Sequence, residues 1–296
     1  MQNDECRRIF TGGDGVGECP VWDDRSRTLM WVDITGKRIH RLDPASEVCR
    51  TYPTPGIVTS VGLCESECAI VGLRKSIVRW DLASDFQTLA LVEEHLPDNR
   101  LNDARVGPDG CIWVGTMQDN LTDDGELKEA TNTSGSLYRV DAAGKVESLS
   151  PRRFGICNTM AWTRDGRFVT ADTTTDEIFQ FDVRNGTLAA ERPFGRPFGR
   201  GLPDGSALDS EGFLWNCRVG GGCIVRFSPT GDVDRVVDLP CSSPTSCTFG
   251  GENLRTLFLT SANLGLDALS RTCPDEGALF ALQPGPSGAL ENRFQY

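Results

Sequence analysis

A two-part sequence repeat occurs six times along this 296-residue chain. Its first half is a turn followed by an apolar, aromatic-rich run, and its second half is a second turn followed by a short alternating run. The centres of the six first halves, separated by 40, 42, 56, 46 and 44 residues, are Trp31, Val71, Trp113, Val169, Trp215 and Leu259. Repeats of about 40–50 residues built from short strands are typical of propeller blades. The repeat therefore predicts an all-β protein, a six-bladed β-propeller.

Local patterns favour strands throughout. Asp109-Gly110 and Asp165-Gly166 fit hairpin turns, and no segment has the long 3.6-residue apolar period of a helix. A β-sandwich with many hairpins is the alternative, but it does not predict six evenly spaced sequence repeats. We expect one domain over residues 1–296, with a polar loop insertion at about 117–134. The first residues, CRRIFTG, are expected to pair with the last blade, because a closed ring removes the open sheet edge.

Composition excludes several function classes. The net charge is −12 and no basic stripe occurs, so nucleic-acid binding is not expected. There is no secretory signal pattern and no apolar stretch near the roughly 20 residues of a membrane span. These absences predict a cytoplasmic protein that does not bind a membrane. No obligatory protein partner is predicted. The 12 cysteines are then expected to be reduced thiols. With two histidines and no GxSxG motif, a Ser-His-Asp triad is disfavoured.

Polar residues interrupt the apolar pattern shortly before four of the repeat centres. Glu18 precedes its centre by 13 residues, and the other three, each 11 residues before its centre, are Asn102, Asn158 and Asp204. Asp103 follows directly after Asn102. Equivalent positions in successive blades converge on the axis of the ring. Carboxylate and carboxamide oxygens that meet there would form a site for a hard divalent cation.

Turn capping is the alternative role for these residues, because Asp and Asn often cap turns. That reading suits any one of them, and it suits Asp172 in particular, which stands at the end of a predicted strand. It explains less well why four such residues stand in register. We therefore expect a metal site in the central channel.

At these same residues the sequence resembles the regucalcin (senescence marker protein)/gluconolactonase family, which includes sugar lactonases. The matching strings, which follow one another along nearly the whole chain, are GECPVW with LMWVDI, RLND with VGTM, CNTMAW, LPDG with GFLW, and TSCTFGG. The resemblance implies a six-bladed propeller with one divalent cation in the channel. It also implies metal-dependent hydrolysis of a pentono- or hexono-lactone to the aldonic acid.

The resemblance implies roles for six residues. Glu18, Asn158 and Asp204 would be the metal ligands, and Asp204 would also be the general base. Arg100 and Asn102 would contact the substrate, and Asp103 would support that site. After GTM, some relatives have a glutamate that touches the substrate, whereas this chain has Gln118, Asp119 and Asn120, so that role is not carried over.

Two other functions stay open at this stage. One is a non-catalytic, calcium-binding regulatory propeller, and the other is a hydrolase of another ester or an organophosphate. Fold alone does not separate them. Arg100 and Asn102 beside the predicted cation site favour substrate handling. The oxygen ligands suit Ca²⁺, Mg²⁺ or Mn²⁺, while Zn²⁺ and Fe²⁺ also fit a site with three protein ligands.

Overall fold

Six four-stranded antiparallel sheets follow one another along the chain, five of them built from consecutive strands. The computed structural model describes residues 6–184, 186–265 and 273–296. Strand β1 (Arg7–Phe10) precedes the first complete sheet. The first blade contains β2 (Gly17–Asp23), β3 (Thr28–Asp33), β4 (Arg38–Asp43) and β5 (Val48–Pro53). The second contains β6 (Val58–Leu63), β7 (Ala69–Leu73), β8 (Ser76–Trp80) and β9 (Phe86–Leu91).

The remaining blades repeat this meander. The third contains β10 (Asn99–Val106), β11 (Ile112–Gln118), β12 (Leu137–Val140) and β13 (Val146–Ser148). The fourth contains β14 (Cys157–Trp162), β15 (Arg167–Asp172), β16 (Glu177–Arg184) and β17 (Thr187–Pro193). The fifth contains β18 (Leu202–Leu208), β19 (Leu214–Val219), β20 (Cys223–Phe227) and β21 (Val233–Asp238). The last contains β22 (Pro244–Gly250), β23 (Thr256–Ser261) and β24 (Leu279–Leu282).

The ring is closed by the N-terminal strand. β1 completes the last sheet by pairing with β24, with Arg7 opposite Ala281 and Arg8 opposite Phe280. The first strand of each blade is the innermost one, and these six strands contact one another in chain order around the axis. The predicted six-bladed propeller, and its closure by the first residues, are confirmed.

The described helical structure consists of two short 3₁₀ turns, Thr173–Thr175 and Glu252–Leu254. Neither has the length that crossing a membrane requires, and no other helix occurs in the described ranges. The long loop of the third blade joins β11 to β12 and covers residues 119–136, so the first two residues of the predicted insertion belong to β11.

Side chains from neighbouring blades form the core, and a polar network recurs within it in the first, third and fifth blades. In each, a tryptophan on the second strand stands opposite a cation or imidazole on the third strand; the pairs are Trp31 with His40, Trp113 with Arg139, and Trp215 with Arg226. Each indole N–H donates to a carboxylate, from Asp14, Asp109 and Asp209 in turn. The same carboxylate also bonds the opposing side chain. His40 is buried in this network.

The C-terminal segment joins the blades at the end of the ring where the inner strands finish. Phe294 is buried and its N–H donates to the carbonyl oxygen of Leu63, at the end of β6. Glu291 forms an ion pair of 3.0 Å with Arg105, near the end of β10. The predicted site residues stand instead where the inner strands begin, at the other end of the ring.

Candidate functional site

Every inner strand is interrupted by a β-bulge near its beginning, and the predicted site residues stand at four of these bulges. The register shifts between Glu18 and Val21 in β2, and equivalent shifts occur between 101 and 104, 158 and 161, and 203 and 206. The backbone at Cys19 and Thr159, inside two of the bulges, is left-handed, with φ of 49° and 59°. A bulge re-aims a side chain away from the regular alternation. The repeated bulge therefore turns polar side chains of otherwise apolar strands toward the axis.

One cavity of 470 Å³ lies where these side chains meet. Five of the six predicted site residues line it: Glu18, Arg100, Asn102, Asn158 and Asp204. All five are nearly buried, with 5–8 % of their surface exposed. The cavity volume is within the usual range for small-molecule sites.

Glu18 and Asp204 line the same cavity, and each carboxyl group influences the pKa of the other. Burial raises the pKa of Glu18 well above its usual range, and the neighbouring Asp204 carboxyl raises it further. Burial likewise raises the pKa of Asp204, as does the negative charge of Asp103. One oxygen of Asp204, Oδ1, is buried without a hydrogen-bond partner. Two neighbouring buried acids, one of which has an unpartnered oxygen, are costly unless a cation or protons neutralise them.

Asn158 is fixed with its carboxamide oxygen on the polar side of the cavity. The Thr173 hydroxyl donates to the carbonyl oxygen of Pro203, so it accepts the Nδ2–H of Asn158 at 2.8 Å. Asn158 Oδ1 then accepts a hydrogen bond from Asn102 Nδ2, also at 2.8 Å. Since a carbonyl oxygen has two lone pairs, one remains for a cation. Asp172 caps the Thr173–Thr175 turn, so the structure assigns it a structural role.

Arg100 and Asn102 are held mainly by the protein itself. Asn102 donates both Nδ2 hydrogens, to Asn158 and to the carbonyl oxygen of Cys157, and it can therefore only accept from a ligand. Arg100 Nη1 donates to Asn102 Oδ1 and to the Leu101 carbonyl oxygen, while its Nε and Nη2 donate to Asn120 Oδ1. One Nη2 hydrogen of Arg100 is left for a ligand. Burial lowers the pKa of Arg100 to about 10, so the guanidinium is still charged at neutral pH.

Asp103 is the predicted site residue that does not line the cavity. The positive charge of Arg105 acts on its carboxyl group. Burial raises the pKa of Asp103 to about 6, against the opposing effect of Arg105. Any influence on the cavity is therefore electrostatic, through the pKa of Glu18 and Asp204, and direct contact with a substrate is not supported.

The model of the family described as SMP-30/gluconolactonase/LRE-like region matches residues 16–263, most of the chain. The chain belongs to the SMP-30/gluconolactonase/LRE-like family. The predicted family is thereby confirmed.

Several members of the SMP-30/gluconolactonase/LRE-like family resemble this chain over nearly its whole length. It is 34 % identical to a 6-deoxy-6-sulfogluconolactonase of Pseudomonas putida, covering 94 % of both chains. It is also 34 % identical to an L-arabinolactonase of Azospirillum brasilense, covering 94 % of this chain and 92 % of the relative. The crystal structure of regucalcin from Agrobacterium tumefaciens, described as a calcium-binding protein, superposes with a TM-score of 0.90 at 25 % identity, covering 99 % and 98 %. The predicted lactonase class agrees with the first two names.

The residues of this family member fit a divalent cation, although no three His, Cys, Asp or Glu side chains in the described ranges form a metal-binding group. The predicted set has only two carboxylates, from Glu18 and Asp204, and its third member is the carboxamide oxygen of Asn158. Oxygen ligands of this kind suit hard cations. Such a cation would give the unpartnered Asp204 Oδ1 a partner and would offset the repulsion between the two neighbouring carboxylates.

The metal-free protein is expected to lose stability as the pH rises from about 4 to about 8. The pKa of Asp204 is raised from 3.8 to about 8, so within this window the folded state holds a proton that the unfolded state has released. The free energy of unfolding then falls with rising pH. Melting temperatures measured with chelator at several pH values test this, with Asp204→Asn as the control that lacks the titrating group. Identical pH profiles for the two proteins would contradict the prediction.

The sequence did not predict the role of Thr173, which orients Asn158. It also did not predict the apolar residues that line the cavity. Thr173 lies in a run of three threonines directly after β15, and such a run carries no specific signal. The sequence analysis placed Asn120 in the inserted loop without a role, whereas its side chain accepts two hydrogen bonds from Arg100. Only the packing of the loop onto the ring reveals these contacts.

Proposed function

We propose that this chain is a single-domain sugar lactonase that hydrolyses an aldonolactone with the help of one divalent cation. The observation that carries the proposal is the pair of buried acids, Glu18 and Asp204, beside an Asn158 oxygen and a charged Arg100 in one cavity. The names of the relatives support a lactone substrate. We propose Glu18, Asn158 and Asp204 as the residues that hold the cation.

A bound cation would polarise the lactone carbonyl and make water more acidic. Asp204 is the proposed general base, because the residue lines the cavity and its Oδ1 has no hydrogen-bond partner, so it would accept the proton of the attacking water. The new bond joins the water oxygen to the carbonyl carbon, and the ring C–O bond breaks. The proton held by Asp204 then passes to the leaving alkoxide, which gives the hydroxy acid. An Asp beside a cation is a weak base, but the greater acidity of the water offsets this.

Arg100 is placed to stabilise the negative charge that develops during ring opening. Its remaining Nη2 hydrogen is available to an oxyanion or to the product carboxylate, and a bond to a charged oxygen is stronger than a neutral one. Asn102 Oδ1 is available as an acceptor for a sugar hydroxyl. Both residues lie next to the proposed cation ligands through the Asn102–Asn158 hydrogen bond.

Arg100→Lys is expected to lower kcat/KM about 10- to 100-fold, through the loss of a charge-assisted hydrogen bond. A lysine has three donors on one atom and cannot bond Asn120, Asn102 and the substrate in the same directions. Steady-state kinetics on the best lactone measure the effect. Arg74→Lys is the matched control, because Arg74 holds the same loop through Asp119 without lining the cavity. If the two variants behave alike, Arg100 does not contact the substrate.

The proposed function is tested by acid release from a panel of pentono- and hexono-lactones, with an aryl ester as the comparison. The protein is assayed after chelation and again after adding Ca²⁺, Zn²⁺, Mn²⁺, Mg²⁺ or Fe²⁺ singly. Hydrolysis that stops with chelator and returns with a cation supports the proposal. Tight calcium binding without turnover of any lactone would favour a regulatory calcium-binding protein. The similarity to regucalcin, which is described as a calcium-binding protein, supports this alternative. Turnover of the aryl ester alone would favour a different esterase.

A further inference from the structure

Apolar side chains line the cavity together with Glu18, Asn158 and Asp204, and they come from four of the six blades. Six of them form what we call the apolar collar: Val16, Ile34, Leu127, Ile156, Leu202 and Val219.

The collar includes two leucines that are unusually exposed. Leu127 keeps 49 % and Leu202 keeps 40 % of its surface exposed, although most large apolar side chains of the described residues are buried. Leu127 lies in the inserted loop of the third blade and Leu202 begins the inner strand of the fifth, so they are far apart in sequence. Exposed apolar surface is unfavourable in water, and its clustering around a site indicates a ligand that covers it.

The polar side chains of the cavity are largely occupied by the protein. Thr173 bonds Asn158 and Pro203, and Thr245 bonds the Gly17 carbonyl oxygen and Thr260. Within the described residues, three side-chain donors are left at the cavity: one Nη2 hydrogen of Arg100, the Nδ2 group of Asn120 and the second Nδ2 hydrogen of Asn158. Arg100 and Asn158 are each only 5 % exposed, whereas Asn120 lies in the inserted loop that also carries Leu127.

The direction of the substrate follows from the proposed chemistry. The ester carbon must lie beside Asp204 and Arg100, which are only 6 % and 5 % exposed. The remote end of the molecule then extends toward the more exposed side chains of the collar, Leu127 and Leu202. A hydroxyl group placed there would lose its hydrogen bonds to water without replacement, which is unfavourable. A methyl group in the same place would instead remove apolar surface from water on both sides.

Resting on the proposed lactonase activity, we propose that the preferred substrates are deoxy aldonolactones. These are sugar lactones whose remote end carries a methyl or short alkyl group in place of a hydroxymethyl group. The hydroxyl groups near the carbonyl are bound by Arg100, Asn102 and Asn120, and the alkyl end is covered by Leu127, Leu202 and their neighbours in the collar.

The test compares two pairs of lactones that differ only at the remote carbon. L-Rhamnono-γ-lactone is matched with L-mannono-γ-lactone, and L-fucono-γ-lactone with L-galactono-γ-lactone. Two pairs are used because ring stereochemistry is read by other residues. In the better-accepted pair, kcat/KM is expected to be at least about fourfold higher for the deoxy member, the factor that one buried methylene group contributes.

Leu127→Ser and Leu202→Ser are the informative variants, since both side chains are exposed and the fold should tolerate the change. Each is expected to reduce the deoxy preference toward unity by lowering kcat/KM for the deoxy lactone alone. Leu91→Ser is the matched control, because Leu91 is 47 % exposed on β9 and does not line the cavity.

The outcomes separate the two proposals. If no lactone of these pairs or of the wider pentono- and hexono-lactone panel is hydrolysed with any cation, the proposed function fails, and this inference fails with it. If the wider panel is hydrolysed but neither pair is, the lactonase stands and the deoxy preference is wrong. If the hydroxylated member is preferred, or if the collar variants lower both rates equally, the lactonase stands and the deoxy preference is wrong. A preference that is lost in Leu127→Ser and Leu202→Ser but kept in Leu91→Ser supports the inference.

Discussion

Replacing Asp204 by asparagine is expected to lower kcat for lactone hydrolysis about 10³-fold, the scale of a general base, while the propeller stays folded. The amide cannot accept the proton of the attacking water, but it is nearly the same size as the carboxyl group. The backbone of Asp204 is held independently of its side chain, because its carbonyl oxygen accepts hydrogen bonds from Thr159 and Asn216. Removing a buried negative charge should even stabilise the metal-free protein at alkaline pH.

Kinetics and cation binding must be measured together, because Asp204 is proposed both as base and as ligand. The asparagine keeps one oxygen for the cation, so a variant that binds the cation but does not turn over identifies the base. Asp103→Asn is the matched control, with the same change in the same channel outside the cavity. Its kcat should stay within about tenfold of the wild type, the effect of one pKa unit. Near-normal turnover by folded, cation-loaded Asp204→Asn would show that another group takes the proton.

The architecture was readable from the sequence because each blade is a local unit. Strand, turn and strand recur within about 45 residues, and every blade must bury its faces against the next, so the period alone indicates a closed ring. The pairing of Arg7–Phe10 with the last blade followed from the need to remove an open edge. The polar networks around Trp31, Trp113 and Trp215 were not predicted, because their carboxylates come from outside the strands that they join.

The site residues could be predicted from the sequence only where they stand at equivalent positions of the inner strands. Residues at equivalent positions of successive inner strands face one axis, which is why Asn102, Asn158 and Asp204 could be grouped before any geometry was known. Sequence spacing does not show a β-bulge, so it could not separate Asn102, which lines the cavity, from Asp103, which does not. The apolar collar depends on how the inserted loop folds over the ring, and no local pattern encodes that contact.

Replacing Asp209 by alanine is expected to lower the free energy of unfolding by about 3–5 kcal/mol, because it breaks a buried ion pair. Asp209 is 3 % exposed and its Oδ2 accepts hydrogen bonds from Trp215 Nε1 at 3.0 Å and Arg226 Nε at 2.8 Å. Arg226 is 5 % exposed. In the variant it would keep its bonds to the more exposed Glu211 and Asp234 but lose its bond to the buried Asp209. The tryptophan N–H would be left buried without a partner, which adds to the cost.

Thr163→Ala is the control that isolates the ion pair from the turn. Thr163 has the same place in the fourth blade: its Oγ1 accepts the N–H of Arg167 at 3.0 Å, as Asp209 Oδ1 accepts that of Phe213 at 3.0 Å. It has no tryptophan or arginine pair behind it, so its loss should cost about 1 kcal/mol, one hydrogen bond. Urea unfolding of both variants gives the comparison. Equal losses of unfolding free energy would mean that Trp215 and Arg226 are held by packing alone. A larger loss in Asp209→Ala would show that the hydrogen bonds of Asp209 to Trp215 and Arg226 stabilise the blade.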